Sequence, residues 1–255
     1  MKFQWEDFNH PKLKQLQNKY NLVERLEKGK DEFERQLILK NWVNKVLPHG
    51  KPDKDYSQLS SLEILTDAKK GKKFWCTQFT LLFIQAASSM GFYSRKLGVD
   101  TKDIKKDMHH GVADIWSRKF NKWYVVDAQH NLHYEKNGVP LNAFEIRKEY
   151  LLNKAREVIG VVGNYEEKLN YKPGKRGYNT PSNYFWFFVG LRNNFFSKPG
   201  IYSLDAFLWI DKYNQDKLWY RQSDNKQRFE LHPMYKSQFI KTSQLSKCFP
   251  KIEEN

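Results

Sequence analysis

Residues 31–47 (DEFERQLILKNWVNKVL) place Phe33, Leu37, Leu39, Trp42, Val43, Val46 and Leu47 mostly at three- and four-residue steps. That spacing predicts a helix with an apolar face, and Pro48 and Gly50 stop it. A polar loop (HGKPDKDYSQL) follows. Ser60 with Glu63 then matches a reciprocal N-terminal cap on a short helix, which Gly71 closes. From Thr77 to Met90 the apolar residues Phe79, Leu82, Phe83, Ala86, Ala87 and Met90 share one helical face, and Gly91 is placed to end that helix. Beyond it the texture becomes strand-like over 92–99, 110–116 (HGVADIW) and 122–127 (KWYVVD). The polar residues 117–122 between the last two predict a hairpin.

After about residue 150 the pattern changes again. Residues 163–182 are rich in Gly, Asn, Pro and Lys and predict a long loop. Aromatic-rich, strand-like runs follow at 183–191, 203–210, 217–222 and 227–231, so 183–240 predicts several antiparallel strands. The unbroken apolar run NYFWFFV within them predicts a strand buried on both faces. The fold class is therefore α+β: helices on an antiparallel sheet over 1–150, and a β-rich, aromatic-rich extension over 151–255 packed on or beside that core.

Composition narrows the classes. With 40% apolar and 16% aromatic residues, the 255-residue chain has the material for a large core, which excludes a disordered polymer. The formal charge of +15 comes from Lys and Arg dispersed along the whole length. Such a surface attracts anionic polymers, but dispersed lysines without a recognisable module argue against a nucleic-acid-binding protein. Two cysteines, Cys76 and Cys248, can build neither a disulfide framework nor a four-thiolate zinc site. No run approaches the roughly 18 apolar residues of a membrane span. The start (MKFQWEDFNHPKLKQ) lacks the apolar segment of a secretory signal, which points to the cytoplasm unless the chain is a trimmed, exported form.

Cys76 stands immediately before the apolar helix. A thiol is a useful nucleophile near neutral pH only as thiolate, and a helix N-terminus and a neighbouring imidazolium both favour that form. The histidine must come from elsewhere in the fold. His110 opens one strand of the predicted hairpin and Asp127 closes the other, so the hairpin's open end brings an imidazole and a carboxylate together. His110 is preferred to His109, and its even offset from Asp114 puts those two on one strand face. Cys248, in the polar tail SKCFPKIEEN, reads as incidental. His130 and His133 make an HxxH spacing beside Asp127, but a loop HxxH without a second motif does not make a zinc site.

Three runs carry a resemblance to a known family. FWCTQFTLLFIQAASSMGFYSRKL looks like the transglutaminase-like signature of a cysteine opening a buried helix, then Gly and a strand with Arg. HGVADIW resembles that family's second block and KWYVVDAQ its third, and SSLEILTDAKKGKKFWC is similar to its lead-in. The likeness covers about residues 30–145. Val112 and Ala128 stand where the family often has Trp and Pro. The resemblance implies a papain-like α+β fold and thiol acyl chemistry. It makes Cys76 the nucleophile, His110 the general base and acid, and Asp127 the orienting carboxylate. A peptide, protein or cell-wall amide is the expected substrate, and neither cofactor nor metal is expected. A transglutaminase-like module that binds or scaffolds without turnover is the alternative, and a basic nucleic-acid-binding protein the weaker one.

Overall fold

A computed structural model describes residues 3–102, 109–163, 169–171, 180–202, 205–213, 221–222, 229–230 and 239–252. Five helices come first: α1 (Pro11–Lys19), α2 (Leu22–Glu27), α3 (Glu32–Val46), α4 (Ser61–Ala68) and α5 (Cys76–Ser89). Strands β1 (Ser94–Asp100), β2 (His110–Ser117), β3 (Lys122–Val126), β4 (Leu132–Lys136) and β5 (Val139–Pro140) follow. Then come α6 (Ala143–Asn153), β6 (Ile159–Val162), β7 (Leu169–Tyr171) and a short 3-10 turn at Pro181–Asn183. The described chain ends with β8 (Trp186–Gly190), β9 (Ala206–Trp209), β10 (Arg221–Gln222), β11 (Phe229–Glu230), β12 (Phe239–Thr242) and α7 (Leu245–Cys248).

Local chemistry explains the helices that hold the site. Asp31 caps α3 by accepting from the Glu34 amide at 2.9 Å. Glu63 accepts from the Ser60 amide at 2.8 Å at the start of α4. Gly91, at φ +74°, lets the chain leave α5, and the Phe92 amide folds back onto the Ala87 carbonyl at 2.9 Å. α5 departs from the one-faced helix its pattern suggests, because polar Gln78, Thr80, Gln85 and Ser88 are buried as well. The reason is tertiary: α1, α3 and α4 cover its outer side while β1 and β2 cover its inner side.

The main sheet has the order β12-β9-β8-β1-β2-β3. Its pairings are antiparallel among the strands before residue 150, as expected, and the parallel pair of β12 with β9 in the C-terminal part makes the whole sheet mixed. Strands from both sides of residue 150 are continuous within it. A smaller sheet, β5-β4-β6-β7, extends from the β3–β4 turn. The predicted loop at 163–182 and the strand-like runs at 217–222 and 227–231 lie largely outside the described residues.

Both faces of the main sheet are covered. Ala113, Ile115, Tyr124 and Val126 face the helices, with Phe79, Leu82, Phe83 and Ala86 among the buried partners. Leu97, Val99, Val112 and Val125 face the other way, onto a cluster with Tyr134, Ile146, Phe187 and Trp209. Burial on two sides accounts for β1, β2 and β8 being buried at every position, as the run NYFWFFV suggests.

The C-terminal tail closes that second face, which corrects the reading of Cys248 as incidental. Cys248 is fully buried, and its carbonyl accepts from Arg95 Nη2 at 2.5 Å. Arg95 also donates to Asp114 Oδ2 at 2.8 Å and lies 4.0 Å above the Trp123 ring, whose Nε1 donates to the Pro250 carbonyl at 2.6 Å. The tail's polarity hid this, because its anchors are main-chain carbonyls that any sequence supplies.

The Arg95–Asp114 pair is sealed from solvent, so removing the cation strands a carboxylate. Arg95→Leu is expected to lower the unfolding free energy by about 3–5 kcal/mol in urea titration. Arg95→Leu with Asp114→Leu is expected to recover much of that loss, and equal losses in the two variants would refute the account.

Candidate active site

Cys76 is the first residue of α5, with Trp75 as the preceding cap residue. The Gln78 and Phe79 amides donate to the Trp75 carbonyl at 3.1 and 3.4 Å. The amides of Cys76 and Thr77 have no carbonyl a turn earlier to accept them, so this end of the helix presents N–H groups beside the sulfur. Cys76 is partly exposed, and Trp75 next to it is half exposed.

The β2–β3 hairpin forms as its sequence suggests, with Ala113 opposite Val126 and Ser117 opposite Lys122. Its open end carries His110 and Asp127. The turn after Asp127 is tight, with paired bonds between Asp127 and Leu132 at 2.8 and 2.9 Å. This holds the buried carboxylate still. His110 Nε2 lies 2.8 Å from Asp127 Oδ2, and both residues are 2% exposed. The His110 side chain is also coupled to Cys76, each acting on the other by hydrogen bond and charge. The Gly111 amide also donates to Cys76 Sγ, at 3.4 Å. The structure thus brings Cys76, His110 and Asp127 together in that order. His109, the alternative, stacks against Phe188 instead, with ring centroids 6.3 Å apart. Asp114 is held by Arg95 and is no part of the cluster.

Electrostatics follow from burial and proximity. Burial favours the neutral thiol of Cys76, but the hydrogen bond and charge of His110, helped by the Gly111 amide, outweigh it and hold the thiol below its ordinary value. Burial also opposes charge on His110, yet the Asp127 carboxylate and then Cys76 raise it to about 10. Asp127 is pushed up by burial and pulled down further by His110 and His130, ending well below the usual carboxylate range. Both directions favour the thiolate–imidazolium form of the pair over the neutral one.

Residues that sequence reasoning passed over or misread complete the surroundings. His130 Nδ1 also meets Asp127 Oδ2 at 2.8 Å, and its amide donates to Oδ1 at 3.1 Å, so two rings share one carboxylate. The HxxH partner, His133, faces elsewhere, with Nδ1 at 3.1 Å from Lys40 Nζ and Nε2 at 2.8 Å from Glu135. His110, Asp127 and His130 bring ligand atoms within 4.8 Å of one another, the one such group among the described residues. The Asp127 oxygen they share already accepts from both rings.

α3 supports the hairpin from its closed end to the loop after Asp127 with a polar stripe. Gln36 donates to the Trp116 carbonyl and accepts from Tyr124, Lys40 reaches His133, and Asn44 donates to the Ala128 and Gln129 carbonyls. Lys40 is buried, which brings it down to about 7 against the pull of Asp127 and Glu135. The four-residue steps among 36, 40 and 44 were visible in the sequence, but polar positions on a helix read as its solvent side.

Two consequences can be measured. Because Asp127 is depressed when folded, its contribution to stability is complete above about pH 3.9 and disappears as pH falls toward its folded value. Because His110 is raised, its contribution is complete below about pH 6.5 and is lost as pH rises through about 10. In the native protein, Cys76 is expected to react with iodoacetamide at pH 6, and His110→Ala to slow it at least about tenfold. Cys248, pushed up to about 12 by burial, is expected to react only after unfolding. Equal labelling of both cysteines in the native protein would contradict this geometry. No family model and no curated protein matches the chain. Among solved structures it is similar to the "Putative Cysteine Protease from Cytophaga hutchinsonii", at 14% identity and a TM-score of 0.39. That match covers 66% of this chain and 56% of the other. So low a likeness carries no argument about activity.

Proposed function

We propose that this protein is a cysteine hydrolase or acyltransferase of the transglutaminase-like kind, acting on a peptide or amide bond through Cys76, His110 and Asp127. The observation that carries the reading is the continuity from sulfur to imidazole to carboxylate, with the sulfur at a helix N-terminus on a partly exposed residue. The three sequence blocks that resemble the family contain these same residues in the same order.

In this mechanism the Cys76 thiolate attacks the substrate carbonyl carbon and a tetrahedral oxyanion forms. The first-turn amides of α5 point toward that charge. As the carbon–nitrogen bond breaks, His110 gives its Nδ1 proton to the leaving amine, and a thioester remains on Cys76. Water or a second amine then attacks the thioester, His110 takes the incoming proton, and the thiolate returns. Asp127 stays ionised throughout. Its bond to Nε2 fixes the ring orientation and stabilises the imidazolium.

Trapping decides the matter. An activated acyl ester is expected to leave a hydroxylamine-sensitive acyl group on Cys76, absent in Cys76→Ala. Asp127→Ala, which removes the carboxylate that orients the ring, is expected to lower turnover by about 10²–10⁴-fold. A wild-type protein that forms no thioester with acyl esters or with a peptide library would make this a non-catalytic module.

A further inference from the structure

The helix-facing side of β1 carries a second buried cation at the site. Lys96 lies opposite Ala113, is 1% exposed, and donates from Nζ to the Ile201 carbonyl at 3.2 Å. Its ammonium sits 4.5 Å over the Tyr202 ring and 5.9 Å from that of Phe188. Tyr202 in turn donates its hydroxyl to Thr77 Oγ1 at 2.9 Å, on the residue that follows Cys76. Phe188 can lie across β1 because Gly98 leaves room; a Cβ there would fall 2.1 Å from the ring.

Among the described residues, two charges act on Lys96. From α5 comes Cys76, and from the segment after β8 comes Arg192, which is a like charge. A buried ammonium held by a carbonyl and two rings, with a thiolate as the anion whose field reaches it, is costly unless that thiolate exists. The interaction is reciprocal: whatever the thiolate adds to the lysine's hold on its proton, the lysine takes from the thiol's.

We infer that Lys96 is a positioning residue for Cys76: the Lys96–Tyr202–Thr77 chain fixes the first turn of α5 around the sulfur, and the buried charge at its end favours the thiolate. This deepens the proposed reading of the site and rests on it. Burial brings Lys96 down to about 7, with Cys76 opposing that fall and Arg192 adding to it. The support for the thiolate is thus greatest below neutral pH and fades as pH rises through that value.

The test is the pH profile of Cys76 alkylation by iodoacetamide, read on the Cys76 peptide by mass spectrometry in the full-length protein. Lys96→Met is expected to move the profile up by about one pH unit, about tenfold slower labelling at pH 5.5, whereas Lys96→Arg keeps the wild-type profile. Coincident profiles for wild type and Lys96→Met, both displaced from an ordinary thiol, would overturn the role of Lys96 alone. An ordinary profile in the wild type would overturn the thiolate reading of the site itself. Should Lys96→Met fail to fold, the reciprocal measurement serves: NMR titration of Lys96 in the wild type and in Cys76→Ser. Removing the thiolate is expected to lower the Lys96 value, and an unchanged value would overturn the inference.

Discussion

A carboxylate with 2% exposure cannot keep its charge without donors, and the site is organised around satisfying Asp127. Two imidazoles and the His130 amide do so, and the bonds across the Asp127–Leu132 turn keep its backbone from moving away. Once the carboxylate is fixed, the His110 ring is held through Nε2, and it is coupled to the sulfur of Cys76 by hydrogen bond and charge. The polarity of the whole arrangement runs from this buried negative charge outward to the partly exposed thiol.

Placing such a charge inside a protein requires a rigid frame. Here the frame is a helix enclosed on every side and a sheet covered on both faces. α5 cannot tilt without disturbing three helices and two strands, so the sulfur at its first residue is held as firmly as the core. The polar stripe of α3 works from behind, tying the loop that bears His130 to the same frame. Lys96 adds a buried positive charge on the sheet side.

The far face of the sheet is joined to this frame by another buried charge. Arg95 links β1 to β2 through Asp114 and to the C-terminal tail through the Cys248 carbonyl. The last described residues, which look dispensable as sequence, thus cover the sheet that carries His110. An arginine is suited to this position because its planar fork reaches two acceptors while its flat face rests on Trp123.

The sequence by itself determined the helices at 32–46, 61–68 and 76–89, the hairpin over 110–126, and the order of cysteine, histidine and aspartate, because periodicity, caps and turns are short-range properties. Hairpin geometry even brought His110 and Asp127 together before any tertiary contact was known. What only the tertiary structure decided involves partners distant in the chain. The parallel entry of β12, the burial of the polar side of α5, the anchoring of the tail by main-chain carbonyls and the roles of Lys40, Lys96 and His130 are of this kind. A lysine in a sequence carries the same letter in water and in a core, and only the packing around it fixes whether it is solvated or, like Lys96, held among rings and a main-chain carbonyl.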